Sequence, residues 1–411
     1  MKMKKLVRII GRMNGGGPAR QVAYLHRALR SSFDTRLIVG AIEDGEQDMR
    51  YLLQDASGVL EVPSMSRSVK GWSDLVSLVR ITRILLREKP DIVHTHTAKA
   101  GVIGRIAALL SGVPIRVHTY HGNVFHDYFG KTATRLIMAT ERLLNRFTTR
   151  VIAISDSQAE ELAERSHVAR RLQIAIVRNG FDLRTLADLD KLRGQARRHL
   201  NLSDNDRLVV WAGRLVPIKN LPLLLEVVGL ADRLPQLKFL VAGDGPLRQQ
   251  VETAAAHIRG NLQFLGWQKD IKPLLAAADM VLLTSRNEGT PAFLIEAMAA
   301  GKPFIATAVG GVVDLAAPPL REISKHCQAA ANGFLTPADP QAILSCIERL
   351  AYSPKLAAKM GAAGRSFALA NHAQERLAEE ITGLYRQLLA GSKAREHTGA
   401  PATAAEETLT R

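Results

Sequence analysis

The sequence predicts an α/β protein built as two doubly wound domains in tandem. Three observations predict it. Short apolar runs alternate with segments of helical period, the signature of parallel sheets covered by helices. Glycine-rich or histidine-bearing turns follow the apolar runs, where open parallel sheets place their ligands. The pattern then starts afresh near Asp206, so that strand–Gly11–Arg12–loop–helix is matched by strand–Gly213–Arg214–loop–helix.

In order, "KLVRII" reads as a buried strand entering the loop "GRMNGGG". The helix "PARQVAYLHRALRSS" follows, with Pro18 where a missing N–H costs nothing. "TRLIVGA" is a strand and "WSDLVSLVRITRILLREK" a long amphipathic helix. "PDIVHTHT" is a strand, "KAGVIGRIAALLSG" a helix and "PIRVHTYHG" a strand; "RVIAISDS" and "QIAIVRNG" complete the first series. The second series runs through strand "DRLVVWAGRLVPIKN", helix "LPLLLEVVGLADRL", strand "LKFLVAGDG", helix "PLRQQVETAAAHI" and strand "NLQFLGW". It continues with helix "IKPLLAAAD", strand "MVLLTS", a helix from Pro291 and strand "PFIATA". These elements predict a first domain over 1–181, a strand-free linker over 182–206 and a second domain over 207–390, its last helix packing back on the first domain. The tail 391–411, poor in large apolar residues, is expected to be disordered.

Composition narrows the class. Of 411 residues 46% are apolar, enough for two cores. Cys327 and Cys346 make neither a disulfide framework nor a metal motif, so a reducing, cytoplasmic compartment is expected. No apolar run reaches the length of a spanning helix. Residues 1–180 hold 28 Lys/Arg against 16 Asp/Glu, whereas residues 181–411 hold 27 against 23. The basic excess of the first half calls for an anionic partner or simply serves solubility. The segment "KTATRLIMATERLLNRFTTR" sets Lys131, Arg135, Arg142, Arg146 and Arg150 around an apolar helix, in the manner of helices that lie on membranes or of a packed helix with a solvated basic face.

The chemistry centres on "NEGTPAFLIEAMAAGKPFIATAVGG". A strand ends, Glu288-Gly289-Thr290 turns and a helix begins with Pro291 as its first residue. Free N–H groups at a helix start make a phosphate seat. Glu288 lies beside that seat and Glu296 about two turns along the helix. Each carboxylate suits a pair of sugar hydroxyls, and a sugar on each side of a diphosphate is a nucleotide-sugar. Arg214 and Lys219 provide two cations for the diphosphate, without need of a metal.

These segments resemble the retaining glycosyltransferases of family 4. "SRNEGTPAFLIEAMAAGKPFIATAVGG", "WAGRLVPIKN", "VAGDGPLR", "FLGW" and "NGFLTPADPQAI" recur in that family's order, and "GGGPARQVAYL" and "VHTYHG" match its N-terminal half. The resemblance covers roughly residues 6–390. It implies the GT-B fold, two Rossmann-like domains facing across a cleft, and metal-independent, cofactor-free transfer from a nucleotide-diphosphate sugar acting as co-substrate. It assigns Glu288 to the donor sugar, Glu296 to the ribose, and Arg214 and Lys219 to the diphosphate. It assigns the N–H groups of Gly289, Thr290 and Ala292 to the phosphates, and Phe264, Leu265 and Gly266 to the neighbourhood of the base. His121 would reach the donor sugar near its reacting carbon, and Gly16 and Gly17 would lie against the phosphate and acceptor. The family's usual Phe-Gly after the first glutamate is here Gly289-Thr290, a common variant that slightly loosens what the resemblance implies about donor-sugar contacts.

His94, His96, His118 and His121 gather at strand ends, but no carboxylate or cysteine joins them at metal-ligand spacing. The D-x-D patterns at Asp188–Asp190 and Asp204–Asp206 fall in the linker rather than after a strand. Transfer to a glycan or lipid-linked acceptor, in surface polysaccharide assembly at the cytoplasmic membrane face, is the expected function; nucleic acid is not an expected partner. A non-hydrolysing nucleotide-sugar 2-epimerase is the alternative.

Overall fold

Strands that are apolar throughout are buried on both faces, and the chain has two sets of them. The computed structural model describes residues 3–43, 46–66, 68, 70–122, 130–256, 258 and 260–398. The first sheet comprises β1 (Lys5–Ile10), β2 (Asp34–Gly40), β3 (Val59–Val62), β4 (Ile92–His96), β5 (Ile115–Tyr120), β6 (Arg150–Ala153) and β7 (Ile174–Ile176). All are parallel, in the order β3-β2-β1-β4-β5-β6-β7. The second comprises β8 (Arg207–Ala212), β9 (Leu237–Ala242), β10 (Leu262–Gly266), β11 (Met280–Leu283), β12 (Phe304–Thr307), β13 (Arg321–Ser324), β14 (Cys327–Ala329) and β15 (Gly333–Thr336). Its order is β10-β9-β8-β11-β12-β15-β14-β13, with β14 antiparallel to both neighbours. Both sheets reverse direction beside their first strand, and a ligand crevice forms at that switch point.

The helices of the first half are α1 (Gly17–Ala28), α2 (Gly71–Glu88), α3 (Ala98–Leu110), α4 (Lys131–Asn145) and α5 (Asp156–Glu160). Those of the second are α6 (Arg193–His199), α7 (Leu221–Leu230), α8 (Arg248–Ala254), α9 (Lys272–Ala277), α10 (Ala292–Ala299), α11 (Pro340–Ala351), α12 (Pro354–His372) and α13 (Gln374–Thr398). Ile81 and Leu85 of α2 and Ala100 and Ile103 of α3 pack with Val7 and Ile9 on one face of the first sheet. On the other face, Leu25 of α1 meets Leu6, Ile92 and Val117.

The chain crosses between the halves twice, side by side. The N–H of Phe181 donates to the carbonyl of His372 at 2.9 Å, and the N–H of Gln374 donates to the carbonyl of Phe181 at 3.0 Å. After the second crossing α13 lies on the first half, where Leu377, Ile381 and Tyr385 join Leu6, Leu25 and Val117.

One expectation is extended and two need correction. The linker 182–206 has no strand, as expected, and it packs on the second half. Leu183, Leu186, Leu189 and Ala196 are buried with Leu275 and Leu294, and Arg193 and Arg197 both pair with Asp279. Widely spaced apolar residues in a polar segment were enough to anchor it. The disordered tail does not begin at Gly391, because α13 runs on to Thr398; extending a formed helix costs little. Residues 399–411 lie outside the described residues. Finally, the basic ring of α4 is not all free. Arg142 donates to the carbonyl of Ser166 at 2.6 Å, and Arg150 lies in β6 and donates to that of Leu172 at 2.5 Å; Lys131, Arg135 and Arg146 are exposed without an ion pair among the described residues.

Candidate functional site

The carboxyl ends of β1, β4 and β5 face those of β8, β11 and β12, and the two sets touch. A Cβ added to Gly289 would lie 2.6 Å from the His121 carbonyl oxygen, so only glycine fits where the loop after β11 meets the loop after β5. One added to Gly17 would lie 4.0 Å from the Cβ of Ala292, seating the glycine loop on the start of α10. Near β7 a further bridge closes the halves: the Ser157 hydroxyl and N–H at the start of α5 both donate to Asp314.

The loop after β11 is held in place from three sides. Gly311 donates its N–H to the Glu288 carbonyl at 3.1 Å, and Arg286 donates its N–H to the Ile218 carbonyl at 2.8 Å. Thr284, at the end of β11, donates its hydroxyl to the Lys219 carbonyl at 3.0 Å. This last bond places Lys219 against Glu288, with Nζ and Oε1 2.5 Å apart; Ser285 donates to the same oxygen at 2.6 Å. Beyond Glu288, the Thr290 hydroxyl is buried with no partner, and Pro291 leads into α10. Among the described residues no acceptor is bonded to the N–H groups of Gly289, Thr290 or Ala292. They constitute an open donor cluster at a helix start.

Glu296, little more than one turn into α10 rather than the two expected, is buried and already paired. Arg20 of α1 reaches across the cleft and pairs with its Oε1. Burial raises the Glu296 pKa, and the Arg20 charge works against that rise. Arg20 is a site residue that sequence reading missed; its place one turn into a helix after a glycine loop was the available signal. Arg214 is exposed with no ion pair among the described residues. Phe264–Gly266 end β10, with β9 and β8 between it and β11 in the sheet order, and so stand apart from the Glu288 group. A cavity of about 530 Å³ opens between the halves beside Glu288, lined by Ser155, Gln158, Arg286 and Gly311 among others.

The four histidines do not form one cleft-facing group. His118 lies on the opposite sheet face, bonded to Thr95 at 2.8 Å. His94 is buried between the Tyr385 hydroxyl of α13 at 2.6 Å and the Thr119 hydroxyl at 2.7 Å. Its ring packs on that of His96, centroids 4.1 Å apart, and His96 Nδ1 shares a proton with His121 Nε2 at 2.9 Å. Burial depresses all four pKa values, that of His121 to about 4, so the rings are neutral near neutrality. The His121 Nδ1 is buried without a partner. Among the described residues no three His, Cys, Asp or Glu side chains stand together as metal ligands. The aspartates of the D-x-D patterns have structural partners: Asp190 pairs with Arg365, and Asp206 accepts the Ser203 N–H.

Comparison with known proteins agrees with this geometry. Residues 193–367 match the family model described as glycosyl transferases group 1, and residues 16–180 match a glycosyl transferase 4-like domain. The chain is 32% identical over 265 residues to the UDP-Gal:alpha-D-GlcNAc-diphosphoundecaprenol alpha-1,3-galactosyltransferase of Escherichia coli, covering 63% of this chain and 68% of that one. It is 26% identical over 361 residues to the capsular polysaccharide biosynthesis glycosyltransferase CapM of Staphylococcus aureus, covering 84% and 90%. The crystal structure of Anabaena Alr3699/HepE in complex with UDP and glucose superposes over 94% of this chain and 100% of that one, with a TM-score of 0.73 at 22% identity.

Proposed function

We propose, from the premise that this chain belongs to the glycosyl transferases group 1 family and has the GT-B fold, that it moves a sugar from a nucleoside-diphosphate sugar to a lipid-linked glycan, with retention of the anomeric configuration. Family membership favours transfer over the 2-epimerase alternative. The observation that carries the finer reading is the Lys219–Glu288 pair set beside the unoccupied N–H groups of Gly289, Thr290 and Ala292.

In this reading the N–H cluster, Lys219 and exposed Arg214 surround the diphosphate. They stabilise the charge that grows on the leaving phosphate as the sugar departs, by dipoles and cations already in place. Gly16 and Gly17 let the backbone of the first half approach the same phosphates. Glu288 and the free Nδ1 of neutral His121 hold sugar hydroxyls and orient the anomeric carbon. Glu296 holds the ribose, and Phe264–Gly266 lie along the base. No side chain is assigned as nucleophile. The acceptor hydroxyl attacks on the face the phosphate leaves, and its proton passes to the departing phosphate oxygen. The donor is a co-substrate, and neither metal nor cofactor has a step.

The acceptor assignment is supported by the E. coli relative, named for action on a diphosphoundecaprenol-linked sugar, and by the capsule relative. A peripheral enzyme on the cytoplasmic membrane face is proposed from the lipid-linked acceptor; among the described residues no helix is long and apolar enough to cross a membrane. The test is product analysis with UDP-, GDP-, ADP- and TDP-sugars against an isoprenoid-diphosphate sugar acceptor. A disaccharide-lipid with the donor's anomeric configuration is expected. An inverted product overturns retention, and transfer confined to soluble acceptors overturns the lipid-linked assignment.

A further inference from the structure

The helices α2, α3 and α4 lie side by side on one face of the first sheet. Each buries an apolar side, yet their outer surface is apolar too. On α2, Trp72, Leu75, Val79 and Leu86 are exposed, Trp72 at 79%. Their spacings of three, four and seven residues put them on one stripe. The last turn of α3 adds Leu109 and Leu110, and α4 with the turn after it adds a second stripe of Leu136, Leu143 and Phe147. Scattered exposed leucines need no explanation, but nine large apolar side chains on three neighbouring helices and the turn after α4 do.

Charge identifies what covers them. Arg80, Arg83 and Arg87 flank the α2 stripe, and Arg135 and Arg146 flank that of α4; all five are exposed without ion pairs among the described residues. The acidic residues of the three helices are Asp74, Glu88 and Glu141, and each is tied to a cation: Asp74 to Lys99, Glu88 to Lys5 at 3.2 Å and Glu141 to Arg105 at 2.6 Å. The outer face therefore offers arginines and apolar side chains with no free carboxylate. We propose that this face seats on an anionic lipid bilayer, with Trp72, Leu75 and Val79 entering the headgroup boundary and Arg80, Arg83 and Arg87 meeting lipid phosphates.

A broad helical surface of this composition matches an interfacial site, and tryptophan belongs at that depth. Nucleic acid would engage the arginines but leave the apolar stripes unsatisfied. A second copy would bring arginines against arginines across a two-fold axis. The principal stripe is on α2, not on α4, where the sequence placed the basic helix. Because α4 starts beyond the carboxyl end of β5, the seated face runs toward the cleft, which, resting on the proposed function, lets a lipid-linked acceptor reach the site from the bilayer.

The test is co-sedimentation and tryptophan emission with phosphatidylcholine vesicles, with and without phosphatidylglycerol, over a salt series. Expected are binding to phosphatidylglycerol vesicles alone, release by salt, and a blue shift that Trp72→Phe diminishes. Arg80→Glu with Arg83→Glu and Arg87→Glu should weaken binding at least about a hundredfold, at about fivefold per basic residue. Trp72→Ala with Val79→Ser should weaken it further, with melting temperature unchanged because these side chains are exposed. Equal binding by the variants, or none by the wild type at low salt, overturns the proposal. So does a dimer, seen without vesicles, that Trp72→Ala with Val79→Ser dissociates. Docking without sugar transfer keeps this proposal and overturns the function; sugar transfer without docking does the reverse.

Discussion

Lys219→Ala separates the two roles that Lys219 plays. In the free protein it neutralises Glu288, with side-chain exposures of 16% and 12%. A pair so placed lies between an exposed one, contributing about 0–1 kcal/mol, and a fully buried one, whose disruption costs about 3–5 kcal/mol. Ser285 keeps its bond to the same Glu288 oxygen, so a loss of about 2 kcal/mol is expected. In a chain of 411 residues, with about 2.1 cal/mol/K of unfolding entropy per residue, that lowers the melting temperature by roughly 2–3 °C. The second role is toward the donor diphosphate. Losing one charge-assisted bond there costs about 1.5–3 kcal/mol, so calorimetry should find bare nucleoside diphosphate bound roughly tenfold to a hundredfold more weakly. Turnover should fall at least about a hundredfold, the cost of losing one transition-state donor. If the melting temperature falls while nucleotide affinity and turnover stay at wild-type values, Lys219 is only a structural partner of Glu288 and the diphosphate assignment fails.

Arg214→Ala should leave the melting temperature unchanged, because the side chain is exposed and unpaired, and lower turnover at least about a hundredfold in a steady-state assay. Glu296→Ala should abolish calorimetric binding of bare nucleotide. Arg20→Ala removes the charge that opposes the raised Glu296 pKa, so this carboxylate protonates at higher pH and nucleotide affinity is lost earlier as pH falls. EDTA should leave the rate of transfer unchanged; strong inhibition reversed by a divalent cation would restore a metal to the reaction. His26, His121 and His372 are held neutral, each lowered from 6.5 to about 4 by burial. The unfolded chain therefore takes up protons first. Scanning calorimetry should find stability fully present above about pH 6.5 and lost progressively as pH falls toward 4.

The strands and helix starts around the site were legible because they are local. "KLVRII", "RLVVWA" and "MVLL" are short and mostly apolar, interrupted inside only by Arg8, so they read as doubly covered strands, and they are β1, β8 and β11. The short strands β3, β13, β14 and β15 were not seen, because three or four residues carry no clear period. The ordered motifs located Glu288 and Glu296 on their loop and helix. They did not reveal that Glu288 holds Lys219 or that Glu296 holds Arg20.

The sequence by itself determined which residues line strand ends, where glycine admits a close backbone approach and where a helix start presents free N–H groups. Those are properties of neighbouring residues, written in period and turn chemistry. Tertiary structure decided the partners. Arg20 and Glu296 are separated by 276 positions, and His94 and Tyr385 by 291. Only the facing of two sheets and the return of α13 bring them together. The same holds for α2. Its period shows an amphipathic helix, but apolar residues lie on more than one side. Only packing against Val7 and Ile9 decides that Ile81 and Leu85 turn inward while Trp72 and Val79 face out. Periodicity records what a side chain is and how often it recurs, and the neighbour that covers it is set by topology.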